Sequence, residues 1–145
     1  MREAIIGVSV LLLAACSGPP PVSMAPPGQD AAGKQFNPPP VGMAAIYFYN
    51  PTDNGPAINV TVGPMVVGRL APMSWMRVEI GGGWHAMSCT TSTGANPTSI
   101  TVASGQMRFI DIEMPPGSSL CSIREAGPDA GRAGVMAGAR AMQIQ

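Results

Sequence analysis

One histidine, three cysteines and eleven methionines carry most of the reactive chemistry of this 145-residue chain. The sharpest spacing is His85-Ala86-Met87. Alternate residues of an extended strand face the same side, so an imidazole and a thioether would stand together there, donors suited to copper(I). Met73 and Met76 lie close by in sequence, yet the chain holds no second histidine, and methionine is an ordinary gap filler in cores with few aromatic rings. A copper carrier using His85 and Met87 is therefore the alternative reading, and a protein without a cofactor is the main one. Cys89 and Cys121 form an even pair once Cys16 is set aside, which predicts a disulfide in an oxidising compartment. Cys89 falls in line with His85 and Met87, and Cys121 with Ile123, so both sulfurs are expected to face the core. Asp111 and Glu113 share a strand face. Paired carboxylates can hydrolyse glycosides, but on a sheet protein such a face is ordinarily a solvated edge. No G-x-S-x-G turn presents a nucleophile to His85, and Gly81-Gly82-Gly83 lacks the lysine and helix of a phosphate loop. No catalytic residue emerges, and the chain is not read as an enzyme.

Cys16 belongs to different chemistry. Residues 4–15, AIIGVSVLLLAA, are an apolar run behind an n-region whose charges are Arg2 and Glu3. A membrane span needs roughly 20 apolar residues, whereas a shorter run ending in small residues fits a secretory signal peptide over 1–15. Leu13-Ala14-Ala15-Cys16 resembles a bacterial lipobox. The resemblance implies a lipoprotein: a diacylglyceryl thioether on Cys16, cleavage before it and acylation, palmitate among the chains, of its new amine. One acyl chain holds a protein marginally and two or more hold it stably, so Cys16 would be a permanent membrane anchor. Ser17 stands where the enterobacterial inner-membrane retention signal places aspartate, which implies the outer membrane, facing the periplasm.

The elements that would position these groups begin after a spacer. Residues 17–42 hold eight of the 16 prolines and a single aromatic ring, Phe36. Such a stretch buries too little apolar surface to offset its ordering entropy, so residues 16–42 are read as a lipidated cysteine plus a disordered proline-rich tether. At about 3.1 Å per residue its reach is about 80 Å at most. Proline triplets also bind aromatic grooves, but a spacer is the simpler reading. Zero net charge and 11% charged residues leave no basic face for nucleic acid and no acidic run for metal buffering.

From residue 44 the apolar period becomes two, and short runs alternate with turn residues. Strands are predicted at 45–50, 57–62, 65–70, 74–80, 84–90, 99–103, 106–114 and 119–125, an all-β antiparallel sandwich over residues 43–125 of about 7 to 8 strands. In Ser74-Trp75-Met76-Arg77-Val78-Glu79-Ile80, the residues Met76, Val78 and Ile80 should face the core, with Trp75, Arg77 and Glu79 opposite. Residues 91–98 read as a polar loop. Asn54-Gly55 between prolines, the three glycines at 81–83 and Pro115-Pro116-Gly117 supply turns. The tail, 126–145, spaces Val135, Met136, Ala139 and Met142 as a helix would, but Gly131, Gly134 and Gly138 each cost about 1 kcal/mol relative to alanine. A flexible or weakly helical tail is expected. Tyr47, Tyr49, Trp75 and Trp84 would line a binding groove or pack in the core.

The order Ala45-Ile46-Tyr47-Phe48-Tyr49, Val67-Gly68-Arg69-Leu70, Gly83-Trp84-His85 and Gly105-Gln106-Met107-Arg108-Phe109 resembles a family of small bacterial lipoprotein domains of unknown function. The resemblance covers roughly residues 43–125 and implies an immunoglobulin-like or carboxypeptidase-regulatory-like sandwich without established activity. Binding an envelope protein or peptidoglycan, or a structural role there, is the expected function.

Overall fold

The computed structural model describes residues 21–144; the apolar run and Cys16 lie outside them. In chain order the described elements are α1 (Pro27–Gly33), β1 (Met43–Asn50), β2 (Ile58–Val62), β3 (Met65–Leu70), β4 (Ser74–Gly81), β5 (Gly83–Thr91), β6 (Gly94–Val102), β7 (Met107–Glu113), β8 (Ser122–Ala126), α2 (Pro128–Ala137) and β9 (Ala139–Arg140). They build two sheets, β8-β7-β1-β4-β9 and β3-β2-β5-β6, stacked as a β-sandwich. All eight predicted strands are present. Met76, Val78 and Ile80 meet Ile46 and Phe48 of the same sheet and Val60, Leu70 and Met87 of the other in the main core.

Not every pairing is antiparallel. β1 and β7 run parallel, Ala45 opposite Met107, and β4 pairs with β9 in the same sense. Antiparallel neighbours suit tight hairpins, whereas parallel ones need a crossover. Here the chain leaves β6 in one sheet and enters β7 in the other beside the start of β1, where the Gly105 N–H donates to the Met43 carbonyl at 2.7 Å. The expected loop at 91–98 is also mostly strand. β5 and β6 pair from Gly83 opposite Val102 to Thr91 opposite Gly94, which leaves Ser92 and Thr93 as the turn. β6 is an edge strand, where a proline such as Pro97 is tolerated and exposed polar residues hide the alternation.

The five-stranded sheet is buried on both faces. Trp75, expected outward, is 0% exposed, and so is Tyr47. The two helices cover them as a third layer, which corrects the reading of both chain ends as loose. In the segment expected to be a tether, Pro27 starts α1, where its missing N–H costs nothing. Gly33 lies flat on the Trp75 ring, and a Cβ there would run into the indole. The Gly33 carbonyl accepts the Tyr47 hydroxyl at 2.9 Å. Asp30 ties the segment down: its Oδ1 accepts the Trp75 Nε1–H at 3.0 Å and the Arg140 backbone N–H at 2.8 Å, and its Oδ2 pairs with Lys34.

Burial alone would raise the Asp30 pKa, but the Lys34 hydrogen bond and charge, with the N–H groups of Arg140 and Trp75, outweigh it and lower the value. A carboxyl depressed in the folded state stabilises fully above its unfolded value, and that contribution disappears as pH falls through the folded one. Melting temperatures of the native chain and Asp30→Asn should therefore differ most at neutral pH and converge below 3.8. A gap unchanged into stronger acid would show that the Asp30 charge stabilises nothing.

The tail is equally ordered. Pro128 opens α2, Val135 is 0% exposed, and the glycines that weaken the helix in isolation form its contact face. A Cβ on Gly131 would overlap Phe109, and one on Gly134 would overlap the Tyr49 ring. Alanine for glycine on an exposed helix gains up to about 1 kcal/mol. At Gly134 the sign should invert: Gly134→Ala is expected to cost about 1–3 kcal/mol through overpacking, read from the urea midpoint. Beyond Gly138 the chain stitches the sandwich shut. The Ala141 N–H donates to Trp75 of one sheet and the Ile144 N–H to Val67 of the other.

Candidate functional site

Cys89 lies in β5 and Cys121 just before β8, so the pair links the two sheets. Both face the core as expected, 0% and 1% exposed, with Cα atoms 6.2 Å apart and sulfurs at bonding distance. The hairpin beside them is tied to the same loop: Asn96 Nδ2 donates to the Cys121 carbonyl at 2.9 Å, and Thr93 Oγ1 to that of Ser119 at 2.6 Å.

His85 and Met87 do share one face of β5, but they are differently engaged. Met87 is 5% exposed and belongs to the core. His85 is partly buried, and its Nε2–H donates to the Gly81 carbonyl at 2.8 Å, across the glycine corner between the sheets. Met76 is wholly buried, and Met73 takes a left-handed backbone conformation at the start of β4. Among the described residues, no group of three or more His, Cys, Asp or Glu side chains is placed to hold a metal ion.

Asp111 and Glu113 do not form a solvated edge. β7 lies inside its sheet, and Asp111 is only 6% exposed. Directly across on β8, Arg124 reaches Asp111 Oδ2 at 2.6 Å and Glu113 Oε1 at 3.4 Å. Burial, together with the neighbouring Asp111 charge, raises the pKa of the Tyr49 phenol beside them. Arg124 thus holds one oxygen of each carboxylate, while Asp111 Oδ1 is buried with no hydrogen-bond partner among the described residues. A second clamp on the same strands joins Arg108 to Glu125, which lowers the Glu125 pKa and raises that of Arg108.

The four aromatic residues divide. Tyr47, Tyr49 and Trp75 are sealed beneath the helices with Phe109, the Tyr47 and Phe109 rings stacked at 5.3 Å. Trp84 alone is open, 67% exposed. It stands opposite Thr101 on the outer face of the four-stranded sheet. The neighbouring pairs there, Ala86 with Ser99 and Ser88 with Pro97, are small and uncharged.

A more apolar open surface lies along residues 21–25 and 141–144. The Met142 N–H donates to the Ser23 carbonyl and the Ala25 N–H to that of Arg140, while Gly68 of β3 bridges to Gln143. Residues 22–25 and 141–144 thus extend the β3 edge as a ribbon. A groove of about 810 Å³ runs beside it, lined by Pro21, Val22, Met24, Pro56, Pro72 and their neighbours. Residue spacing did not announce this surface, although Met142-Gln143-Ile144-Gln145 alternates as an extended segment would. Among the described residues, no helix is long and apolar enough to cross a membrane. No family model matches this chain and no curated protein matches it.

Proposed function

We propose that this protein is a membrane-anchored lipoprotein whose β-sandwich serves as a binding or structural module in the bacterial cell envelope, held in the outer membrane and facing the periplasm. The observation that carries the reading is Leu13-Ala14-Ala15-Cys16 at the end of a short apolar run. The buried Cys89 and Cys121 pair supports it, because disulfides persist in oxidising compartments such as the periplasm. The role is display and contact rather than catalysis: the carboxylates at Asp111 and Glu113 are clamped by Arg124, and His85 is tied to a backbone carbonyl. The open Trp84, beside the small uncharged pairs Ala86 with Ser99 and Ser88 with Pro97, is the surface suited to an envelope protein or to peptidoglycan, since an aromatic ring beside small hydroxyl residues contacts partners with little desolvation cost.

The test is covalent. Cells fed labelled palmitate should incorporate it into the native chain and not into Cys16→Ser, and the variant should leave the membrane fraction. Equal fractionation of the two chains without label in either would overturn the reading.

A further inference from the structure

The tether that the sequence implies is mostly absorbed into the fold, and this restricts how the domain can sit. With residues 21–42 docked on the sandwich, residues 17–20 are all that separate Cys16 from the described body. Fully extended, the five steps from Cys16 to Pro21 span about 18 Å at most. A folded body of this size has a diameter of about 35 Å, from the usual scaling of radius with length. The leash is thus about half a body width, too short for the exit edge to turn away from the surface that holds the anchor.

That edge is dressed for contact. Met24, Met65, Val66 and Met142 are 41%, 62%, 47% and 52% exposed, unusual for large apolar side chains. They flank the point where Pro21 enters, on β3 and on the ribbon added to it. Two grooves at this edge share Pro21 and Val22 in their linings, one reaching Met142 and Ile144 and the other Met24 and Pro56. An apolar patch beside a lipid anchor suits the boundary between headgroups and acyl chains. We infer that the β3 edge, with Met24, Met65, Val66 and Met142, lies against the headgroup layer of the membrane that holds Cys16. This rests on the lipoprotein reading and adds an orientation to it: the Trp84 face and the helix layer remain open to partners.

Methionine oxidation reads the orientation directly, because Met136 is 54% exposed on α2, which packs on β1 and β7 of the other sheet, and so serves as an internal reference. The lipidated full chain is placed in phosphatidylethanolamine and phosphatidylglycerol vesicles and treated with dilute peroxide, and each methionine is followed by peptide mass spectrometry. Met24, Met65 and Met142 should oxidise several-fold more slowly than Met136. The unlipidated Cys16→Ser chain, treated without vesicles, should oxidise them at rates near that of Met136. Equal rates in the vesicle-bound native chain would overturn the orientation while leaving the anchor intact. Protection that persists in the unlipidated chain without vesicles would mean that a second copy covers the patch, and would overturn it too. A Cys16 without acyl chains would remove the lipoprotein reading and this inference together.

Discussion

Trp75→Ala should cost the protein about 3–5 kcal/mol, the usual range for deleting a fully buried tryptophan. Domains of this size are stable by about 5–15 kcal/mol, so the loss is a large share of the total. The residue holds three parts of the chain at once. Its ring is the seat of Gly33 in α1, its Nε1–H donates to Asp30, and the Arg140 guanidinium sits over it at 5.3 Å from the ring centre. Its backbone carbonyl accepts the Ala141 N–H of the closing tail, a bond that the substitution leaves possible. Loss should therefore appear first at the chain ends, with residues 21–42 becoming sensitive to protease under conditions where β5 and β6 resist. Trp75→Phe separates the contributions. It removes the indole donor and the outer ring atoms that meet Gly33, while Asp30 Oδ1 keeps the Arg140 N–H, so its cost should be about 1–3 kcal/mol, below that of alanine. Denaturant melts of the two variants measure the difference; equal small losses would mean that α1 is not docked on the sheet.

How much of this was legible depended on whether the signal was local. The period-two pattern identified eight strands, and the inward set Met76, Val78 and Ile80 followed from one alternating run, because burial on a single face leaves that mark. The third layer left a subtler one. Ala44-Ala45-Ile46-Tyr47-Phe48-Tyr49 is apolar at successive positions, as strands covered on both faces are, and Trp75 sits beside this run on the same sheet. That pattern asks for a cover, but the only chain left to supply it looked unfit: one end rich in proline, the other in glycine. Propensity and packing disagreed there, and packing won. Pro27 and Pro128 occupy helix starts, where proline is tolerated, and Gly33, Gly131 and Gly134 permit an approach that any side chain would block. The parallel pairing of β1 with β7 left no local trace, since it follows from how the chain changes sheets. Among the candidate site residues, the shared face of His85 and Met87 and the core-facing cysteines were readable from alternation. That Met87 points into the sandwich while His85 reaches the Gly81 carbonyl depends on the glycine corner, which spacing alone does not specify.

Breaking the Cys89–Cys121 link should be the other large loss. The bonded residues are 32 apart in sequence, and the chain-entropy relation for a closed loop of that length assigns the cross-link about 3.7 kcal/mol at room temperature. Cys89→Ser with Cys121→Ser should therefore lower the denaturation midpoint by an amount matching about 3–4 kcal/mol, with a slightly larger slope as the unlinked chain expands. Two features argue against a smaller effect. Both positions sit in the packed core between the sheets, so serine there also buries hydroxyls that need partners. The link also joins the four-stranded sheet at β5 to the loop entering β8 of the other sheet, where the Asn96 and Thr93 contacts to Cys121 and Ser119 are the neighbouring cross-ties. The alanine pair, Cys89→Ala with Cys121→Ala, omits the hydroxyl penalty and isolates the cross-link. In the native chain, neither sulfur should react with iodoacetamide before denaturation. After full unfolding without reductant, the mass should remain two hydrogens below that of the reduced chain. Ready alkylation of the folded protein, or an alanine pair as stable as the native chain, would mean that packing alone holds the two sheets together.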